Sequence, residues 1–314
     1  MIEETSVALP YNDYVQSANT LFHFMNKIAY LKKILLEHTI IPRYCLENIE
    51  YLNINIEGQP FREIAVLQKC FCDIPFHKLT DTFALDGIGG GFESLTDDEK
   101  YALAKNNSHP DYYGKFAIAL SKKWGEKHHL QPVQYINEKS TYAQEFSSAL
   151  ASVLDSDNLA EEYANDILHR LSYMKPLRGI MGRSFERKNS RSIKIELRKN
   201  FHDEREWRYV PSSKILTAAK IECIIANPNM FRLTDGITGI NKGLETERYK
   251  NLWLDFNYDD IRYIIVPDLQ ARIEIIETIL AISPDQFDHP EQAERERYIL
   301  MSKILVLDDI RKDW

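Results

Sequence analysis

The stretch TLFHFMNKIAYLKKILLEHTIIPR, residues 20–43, decides the fold class because it joins a strand to a helix and then to a second extended segment. The apolar run over residues 20–24 is typical of a strand, and Asn26 stands where the N-cap of a helix is expected. Four apolar residues then follow at helical spacing, namely Ile28, Leu31, Ile34 and Leu35. Pro42 ends any helix, so the chain continues in extended form.

The rest of the chain continues this mixture of strands and helices. Apolar runs predict strands over residues 64–74, 114–120, 132–136, 193–197, 207–210, 221–226, 252–256 and 261–266. Helical spacing predicts two helices over residues 141–174, another that begins at Leu269, and a last one from about Glu291 to the end. Because strands and helices do not alternate steadily, we predict an α+β fold with mixed, largely antiparallel sheets.

The same pattern indicates the domain organisation. We expect residues 1–270 to form a single α+β domain, with a helical insert at about residues 140–175. We expect residues 271–314 to add C-terminal helices that pack on this domain. No linker rich in proline, glycine or serine marks a boundary between two domains.

Length and composition describe an ordinary folded protein. With 314 residues, of which 44% are hydrophobic and 27% charged, the chain can bury a sizeable core. No segment offers the ~20 consecutive apolar residues of a membrane helix, and the N-terminal MIEET is acidic where a secretory signal is basic. The four cysteines are expected to be reduced thiols. We therefore predict a cytoplasmic protein.

The net charge of −8 argues against a protein whose whole surface wraps nucleic acid. A local exception runs from Lys175 to Arg208, where 11 Lys and Arg stand against 5 Asp and Glu, a surplus of +6. This stretch could bind an acidic acceptor such as a nucleic acid, or it could simply be a solvated surface.

Two short motifs suggest sites that the surrounding sequence does not support. Cys70 and Cys72 could hold a metal ion, but zinc-binding cysteines are usually separated by two residues, so we predict a buried strand and no metal. The glycines within residues 87–91 lack the Gly-Lys-Ser/Thr that completes a phosphate-binding loop. We expect them to form a flexible hinge or lid before a helix whose capping box begins at Thr96.

Four charged or polar residues form the best candidate for a catalytic site. His23 lies on the first predicted strand, Arg43 follows the first helix, and Glu204 and Glu206 open a late strand. Such a set suits cleavage of an N-glycosidic bond, because a fixed carboxylate can stabilise the positive charge that builds on the ribose. The alternative is a charged strand end whose side chains pair with their neighbours, with a satisfied core histidine and a surface arginine.

Several blocks of sequence together resemble the AbiGi family of abortive-infection proteins. They are Leu21–Phe24, Cys70–Pro75, Tyr113–Gly125, Pro132–Tyr135 and Glu204–Tyr209. The resemblance implies antiphage defence, and relatives are labelled the antitoxin half of a pair whose other half looks like a nucleotidyltransferase.

The first block is also similar to the start of DarT-type ADP-ribosyltransferases, which implies an ADP-ribosyltransferase-like fold and NAD as co-substrate. That resemblance implies His23 for the cofactor ribose, Arg43 for phosphate or acceptor, and Glu206 as the catalytic acid group. Glu204 would complete a Glu-x-Glu pattern. Phe71 or Tyr113 would stack on the nicotinamide.

Two functions therefore stand as hypotheses. The first is an NAD-dependent ADP-ribosyltransferase-like effector that modifies a nucleic acid or a protein. The second is a non-catalytic antitoxin that neutralises a partner nucleotidyltransferase toxin through the basic stretch or the helical insert.

Overall fold

The computed structural model describes residues 17–56, 58–154, 161–187, 191–225 and 234–313. It confirms the predicted mixture of strands and helices in an α+β arrangement dominated by antiparallel sheets.

The strands form one large sheet and several small ones. In chain order they are β1 (Thr20–Met25), β2 (Thr39–Ile40), β3 (Arg43–Asn48), β4 (Ile54–Ile56), β5 (Gln59–Phe61), β6 (Glu63–Cys72), β7 (Asp86–Ile88), β8 (Phe116–Ser121), β9 (Gln131–Pro132), β10 (Gln134–Ile136), β11 (Met174–Pro176), β12 (Arg178–Glu186), β13 (Ser192–Asn200), β14 (Glu206–Tyr209), β15 (Ile224–Ile225), β16 (Leu254–Asp255), β17 (Ile261–Val266) and β18 (Ile304–Val306).

The helices cover both faces of the large sheet. They are α1 (Ile28–Glu37), α2 (Gly90–Glu93), α3 (Asp97–Lys105), α4 (His109–Tyr113), α5 (Lys122–Lys127), α6 (Thr141–Leu154), α7 (Glu161–Leu171), α8 (Ser213–Ala219), α9 (Thr234–Gly243), α10 (Leu269–Leu280), α11 (Ala293–Ser302) and α12 (Leu307–Asp313).

The large sheet has nine strands, and β6 is its central connection. Seven strands follow the order β18-β17-β8-β1-β6-β14-β9, while β3 and β15 pair with the first half of β6. In the part of the chain described, each pairing in this sheet is antiparallel apart from that of β17 with β18.

Side chains of β6 alternate between two separate regions of the core, as the pleat of a strand requires. Ala65, Leu67 and Phe71 face the layer that contains α1, α8, α10 and α11. Ile64, Val66 and Cys72 face the opposite layer, which contains α6, α7 and α12. The helical insert therefore packs against one face of the sheet, and the first helix packs against the other.

A smaller sheet of three strands, in the order β12-β13-β7, stands beside this core. Leu95, Leu103, Ile195 and Leu197 form its own buried cluster. The opposite face of β12 and β13 is exposed at alternate residues, which is the pattern of a sheet with one face in water.

The structure corrects several predictions about local elements. Helix α1 has Lys27 and not Asn26 as its N-cap. The predicted last helix is interrupted by β18, which pairs in parallel with β17 and makes the C-terminal segment part of the large sheet. The capping box at Thr96 is confirmed, since its side chain and that of Glu99 bond reciprocally to backbone amides.

Residues 87–91, for which a flexible hinge or lid is predicted, belong largely to regular elements. They include the end of β7 and the start of α2, and β7 pairs with β13. A Cβ atom at Gly91 would meet the carbonyl oxygen of Lys194 at 2.3 Å. Glycine is therefore needed here because two backbones approach closely.

Candidate functional site

The candidate site is built where β14 begins. A short 3-10 turn over Phe201–Glu204 ends at Arg205, whose φ of 45° lies in the left-handed region. The amide of Asp73 donates to the Arg205 carbonyl at 2.9 Å, which fixes the turn against the end of β6. In the strand that follows, Glu206 pairs with Cys72 and Arg208 with Cys70.

Glu206 and Arg208 form the buried centre of the site. Alternation along β14 places both side chains on one face of the sheet, and they are 5% and 0% exposed. Arg208 Nε donates to Glu206 Oε1 at 2.6 Å, and Arg208 Nη2 donates to Glu47 Oε1 at 3.0 Å. Arg208 Nη1 donates to the carbonyl oxygen of Ser172 at 2.8 Å, so every nitrogen of the guanidinium has an acceptor.

Glu204 occupies a second buried position beside the first. Lys175 Nζ bridges the two glutamates, at 2.6 Å from Glu204 Oε2 and 2.8 Å from Glu206 Oε2. Lys199 Nζ lies 2.9 Å from Glu204 Oε1, and the Tyr113 hydroxyl donates to the same oxygen. Both oxygens of both carboxylates are therefore engaged by donors.

Lys199 is held by aromatic rings as well as by its carboxylate. Its Nζ lies 4.1 Å from the ring centroid of Phe83, 4.5 Å from that of Tyr112 and 4.6 Å from that of Tyr113. These separations are within the range of cation–π attraction, which stabilises an ammonium group removed from water.

The charges of this network cancel. Three carboxylates, those of Glu47, Glu204 and Glu206, meet three cations, those of Lys175, Lys199 and Arg208. Buried charges are tolerated when they are paired in this way. We refer to these six side chains as the charge network.

The pKa values reflect the same balance. Burial would raise the pKa of Glu206, but the charges of Arg208 and Lys175 outweigh it and lower the pKa below its ordinary value. Burial would lower the pKa of Lys175, but Glu206 and Glu204 raise it well above its ordinary value. Both groups are therefore ionised at neutral pH.

His23 lies on the other face of the sheet. Phe22 and Glu206 both pair in register with Cys72, so their side chains share one face, and His23, the next residue along β1, points away from it. Its Nδ1 is 3.0 Å from the Cys70 carbonyl oxygen. Burial, and next the charge of Lys69, lower the pKa of His23 well below its ordinary value, so the ring is neutral.

The other predicted residues occupy three different places. The Tyr113 hydroxyl donates to Glu204 of the charge network. Phe71 is fully buried beside His23, with ring centroids 5.6 Å apart, and has no exposed face on which a nicotinamide could stack. Arg43 donates to Glu245, away from both. The structure therefore does not bring the predicted histidine, arginine and glutamate together in one cleft.

Much of the predicted basic stretch is neutralised internally. Of its cations, Lys175, Lys199 and Arg208 belong to the charge network. Arg187 pairs with Glu99 at 2.7 Å, and Arg198 lies 3.8 Å from Asp86. The positive charge that this stretch presents on the protein surface is therefore smaller than the surplus of +6 counted from the sequence.

Two adjacent clefts flank Arg205 and His202. The first, of about 380 Å³, lies on the side of His109 and Phe83. The second, of about 290 Å³, has Glu206 in its wall. These clefts were not predicted, because they depend on how the turn before β14 meets segments that are distant in sequence.

The described residues contain neither a metal-binding cluster nor a membrane-spanning helix. No group of three or more histidine, cysteine or acidic side chains in that part of the chain is arranged to hold a metal ion. None of the described helices has the length and apolar character to span a membrane.

Comparison with known proteins shows the class to which the chain belongs. Residues 97–267 match a family described as "Putative abortive phage resistance protein AbiGi, antitoxin". The chain belongs to this family of abortive phage resistance proteins. It is also similar to the abortive phage resistance protein AbiGi of Lactococcus lactis subsp. cremoris, with 35% identity over 286 residues, or 87% of this chain and 99% of the relative.

No solved structure matches the chain significantly. The expected ADP-ribosyltransferase-like fold therefore stays a prediction, whereas the resemblance to the AbiGi family is confirmed.

Proposed function

We propose that this chain is the antitoxin of an antiphage defence system and that it acts by binding a partner toxin. Two observations support the proposal. The family is described as an antitoxin, and both carboxylates of the Glu-x-Glu pattern are fully engaged by buried cations. The engagement of both carboxylates by buried cations is the reason for proposing binding and not catalysis.

A carboxylate that stabilises a developing positive charge must face the reacting atoms. Each oxygen of Glu206 already accepts from Arg208 or Lys175, and the residue is 5% exposed. A catalytic role would require one of these cations to be displaced. The charge network fits a structural role better, since it fixes β14 to β3, β11 and β13.

The exposed face of β12 and β13 is the surface that we propose for the toxin. Ile180 is 59% exposed on this face and pairs across the strands with Arg198. Arg178 and Lys194 are exposed on the same face. Glu186 and Glu196 are exposed on this face as well, and Arg198 lies 3.8 Å from Asp86, so charges of both signs surround the aliphatic side chain. Such a face suits a partner with an apolar patch and charged neighbours of both signs.

The test is co-expression with the toxin gene from the same locus. We expect the wild-type chain to restore growth and to co-elute with the toxin in size-exclusion chromatography. Ile180→Asp combined with Arg198→Glu should abolish both effects. The matched control, Ile273→Asp combined with Arg272→Glu at an exposed and a partly exposed position of α10, should not. Absence of a complex with the wild-type chain would exclude this function.

A second function, NAD-dependent ADP-ribosyl transfer, is favoured by one observation. Glu206 is ionised and forms part of the wall of the 290 Å³ cleft, beside Tyr135 and Trp207. NAD as co-substrate, a nucleic-acid acceptor and the roles of His23 and Arg43 stay predictions under this hypothesis.

The measurement for this second function is release of nicotinamide from NAD by the purified chain. The hypothesis requires release by the wild-type chain and its loss in Glu206→Gln, with the unfolding temperature recorded for each. Wild-type protein that leaves NAD intact, alone and with nucleic-acid or protein acceptors, would remove it.

A further inference from the structure

The cleft of about 380 Å³ beside the charge network is the feature that the antitoxin function leaves unexplained. Its volume is within the range of small-molecule sites. Its wall combines aromatic side chains, His109 and Phe83, with two cations, Lys78 and Arg205, and two acids, Asp81 and Asp203.

His109 supplies the first indication of a ligand. The residue is 4% exposed, and its Nε2 is buried without a hydrogen-bond partner among the described residues. Buried polar atoms are almost always paired, so this nitrogen lacks a partner that a ligand could supply. The nitrogen is itself buried, so a ligand in the cleft reaches it when the His109 ring turns toward the cleft. Burial, and next the charge of Lys199, lower the pKa of His109 to about 3, which makes the ring neutral. A neutral ring nitrogen suits an uncharged polar group of a ligand.

Phe83 adds an aromatic ring to the cleft wall, with Lys199 Nζ lying over one face of the ring. The centroids of the Phe83 and His109 rings are 4.5 Å apart. The Phe83 backbone is held by Asn107 through two hydrogen bonds of 2.8 Å, one to the Phe83 amide and one to its carbonyl. A fixed aromatic ring beside a polar nitrogen suits a heteroaromatic base.

Arg205 provides the charge at the opposite wall. It is exposed, and no acceptor for its guanidinium is seen in the described part of the chain. Its backbone is left-handed, with φ of 45°, which is uncommon for a residue other than glycine or asparagine. Arginine is the side chain best suited to a phosphate group.

We propose that this cleft binds a nucleoside monophosphate. The base lies against Phe83 and bonds to His109 Nε2, and the phosphate pairs with Arg205 and Lys78. The acids of the wall, Asp81 and Asp203, accept from the ribose hydroxyls. This arrangement uses both the positive and the negative side chains of the cleft, whereas a simple anion would leave the acids and the aromatic wall without a role.

Isothermal titration calorimetry on the full chain tests the proposal, with AMP, GMP, CMP and UMP as probes, and the matching nucleoside and sodium phosphate as comparisons. We expect at least one nucleotide to bind in the micromolar range, and its nucleoside and inorganic phosphate to bind at least tenfold more weakly. No binding of any nucleotide at millimolar concentration overturns the proposal. Inorganic phosphate that binds as tightly as the nucleotides also overturns it.

Two variants locate the binding. Arg205→Asn keeps a residue that tolerates the left-handed backbone and should weaken nucleotide binding by roughly tenfold to a hundredfold. His109→Phe keeps an aromatic side chain but removes both ring nitrogens and should weaken nucleotide binding by about tenfold. Arg191→Asn, at an exposed position outside the cleft, is the control. If Arg205→Asn binds like the wild-type chain, the cleft is not the site, and this holds even if His109→Phe does not fold.

Discussion

Arg208 donates to Glu206 at 2.6 Å from a position two residues further along the same strand, and water reaches neither side chain appreciably. Neighbouring side chains of a strand point to opposite faces, so this contact requires the spacing of two that the sequence Glu-Trp-Arg provides. Because the pair is buried away from water, the charge of each side chain must be balanced by the opposite charge of its neighbour.

Replacement of Arg208 alone should strongly destabilise the protein. Arg208→Met leaves Glu206 and Glu47 without their shared cation, and loss of one partner from a buried ion pair costs about 3–5 kcal/mol. Urea unfolding at pH 7 measures the difference. The control is Arg198→Met. The Arg198 side chain is 59% exposed, and its replacement should change the free energy of unfolding by no more than about 0.5 kcal/mol. Equal effects of the two substitutions would show that the network does not stabilise the fold.

Removal of a single hydroxyl tests the part of the network around Glu204. Tyr113→Phe deletes a group that donates to Glu204 and accepts from Lys199 at 2.7 Å. We expect a loss of about 1–3 kcal/mol, because buried polar groups are left with one partner fewer. Thermal unfolding checks this against Tyr101→Phe, whose ring is 65% exposed and whose hydroxyl should be dispensable. A Tyr113→Phe protein as stable as the wild type would contradict the assignment.

Stability should fall as the solution becomes acidic, partly because of His109. Its pKa is about 3 in the fold, lowered by burial and then by Lys199, and about 6.5 in the unfolded chain. Below pH 6.5 this histidine is therefore protonated in the unfolded chain but stays neutral in the folded chain until the pH approaches 3, and this difference favours unfolding. The loss at pH 4.5 relative to pH 7 is on the order of 2–3 kcal/mol.

His109→Phe should remove this part of the pH dependence. For each protein, the free energy of unfolding is measured at pH 7 and at pH 4.5. The decrease between these two pH values should be roughly 2 kcal/mol smaller for the variant than for the wild type. His289→Phe, at an exposed histidine, should keep the wild-type dependence. An unchanged difference in the His109 variant would mean that this ring is protonated as readily in the fold as in the unfolded chain.

The sequence predicts the elements of this protein better than their arrangement. The run over residues 261–266 coincides with β17, because a strand of six residues, five of them apolar, has a recognisable pattern of its own. Ile304, in contrast, falls within the helix that the spacing predicts from about Glu291 to the end. The three-residue strand β18 is too short to alter that helical spacing in the sequence, and it forms because it pairs with β17 at the edge of the large sheet.

The candidate site shows the same limit. Glu204 and Glu206 stand out in the sequence because two carboxylates lie two residues apart where a late strand is predicted to begin. Their partners Lys175 and Lys199 could not be selected from eleven cations without the fold. The predicted strand that contains His23 is observed. Whether His23 and Glu206 share a face of the sheet depends on how both of their strands pair with β6, and a local sequence pattern does not determine this pairing.

The most direct test of a binding rather than a catalytic role is rescue of toxin-arrested growth by the double variant Glu206→Gln, Arg208→Gln. This change removes the carboxylate together with its main cation, so neither of the two charges is left without the other. Glu47 and Lys175 each lose one partner, so the melting temperature should fall, and growth is compared at a temperature at which circular dichroism shows the variant to be folded. The antitoxin account predicts growth restored to the wild-type level. A double variant that is folded at the assay temperature but fails to restore growth would contradict it.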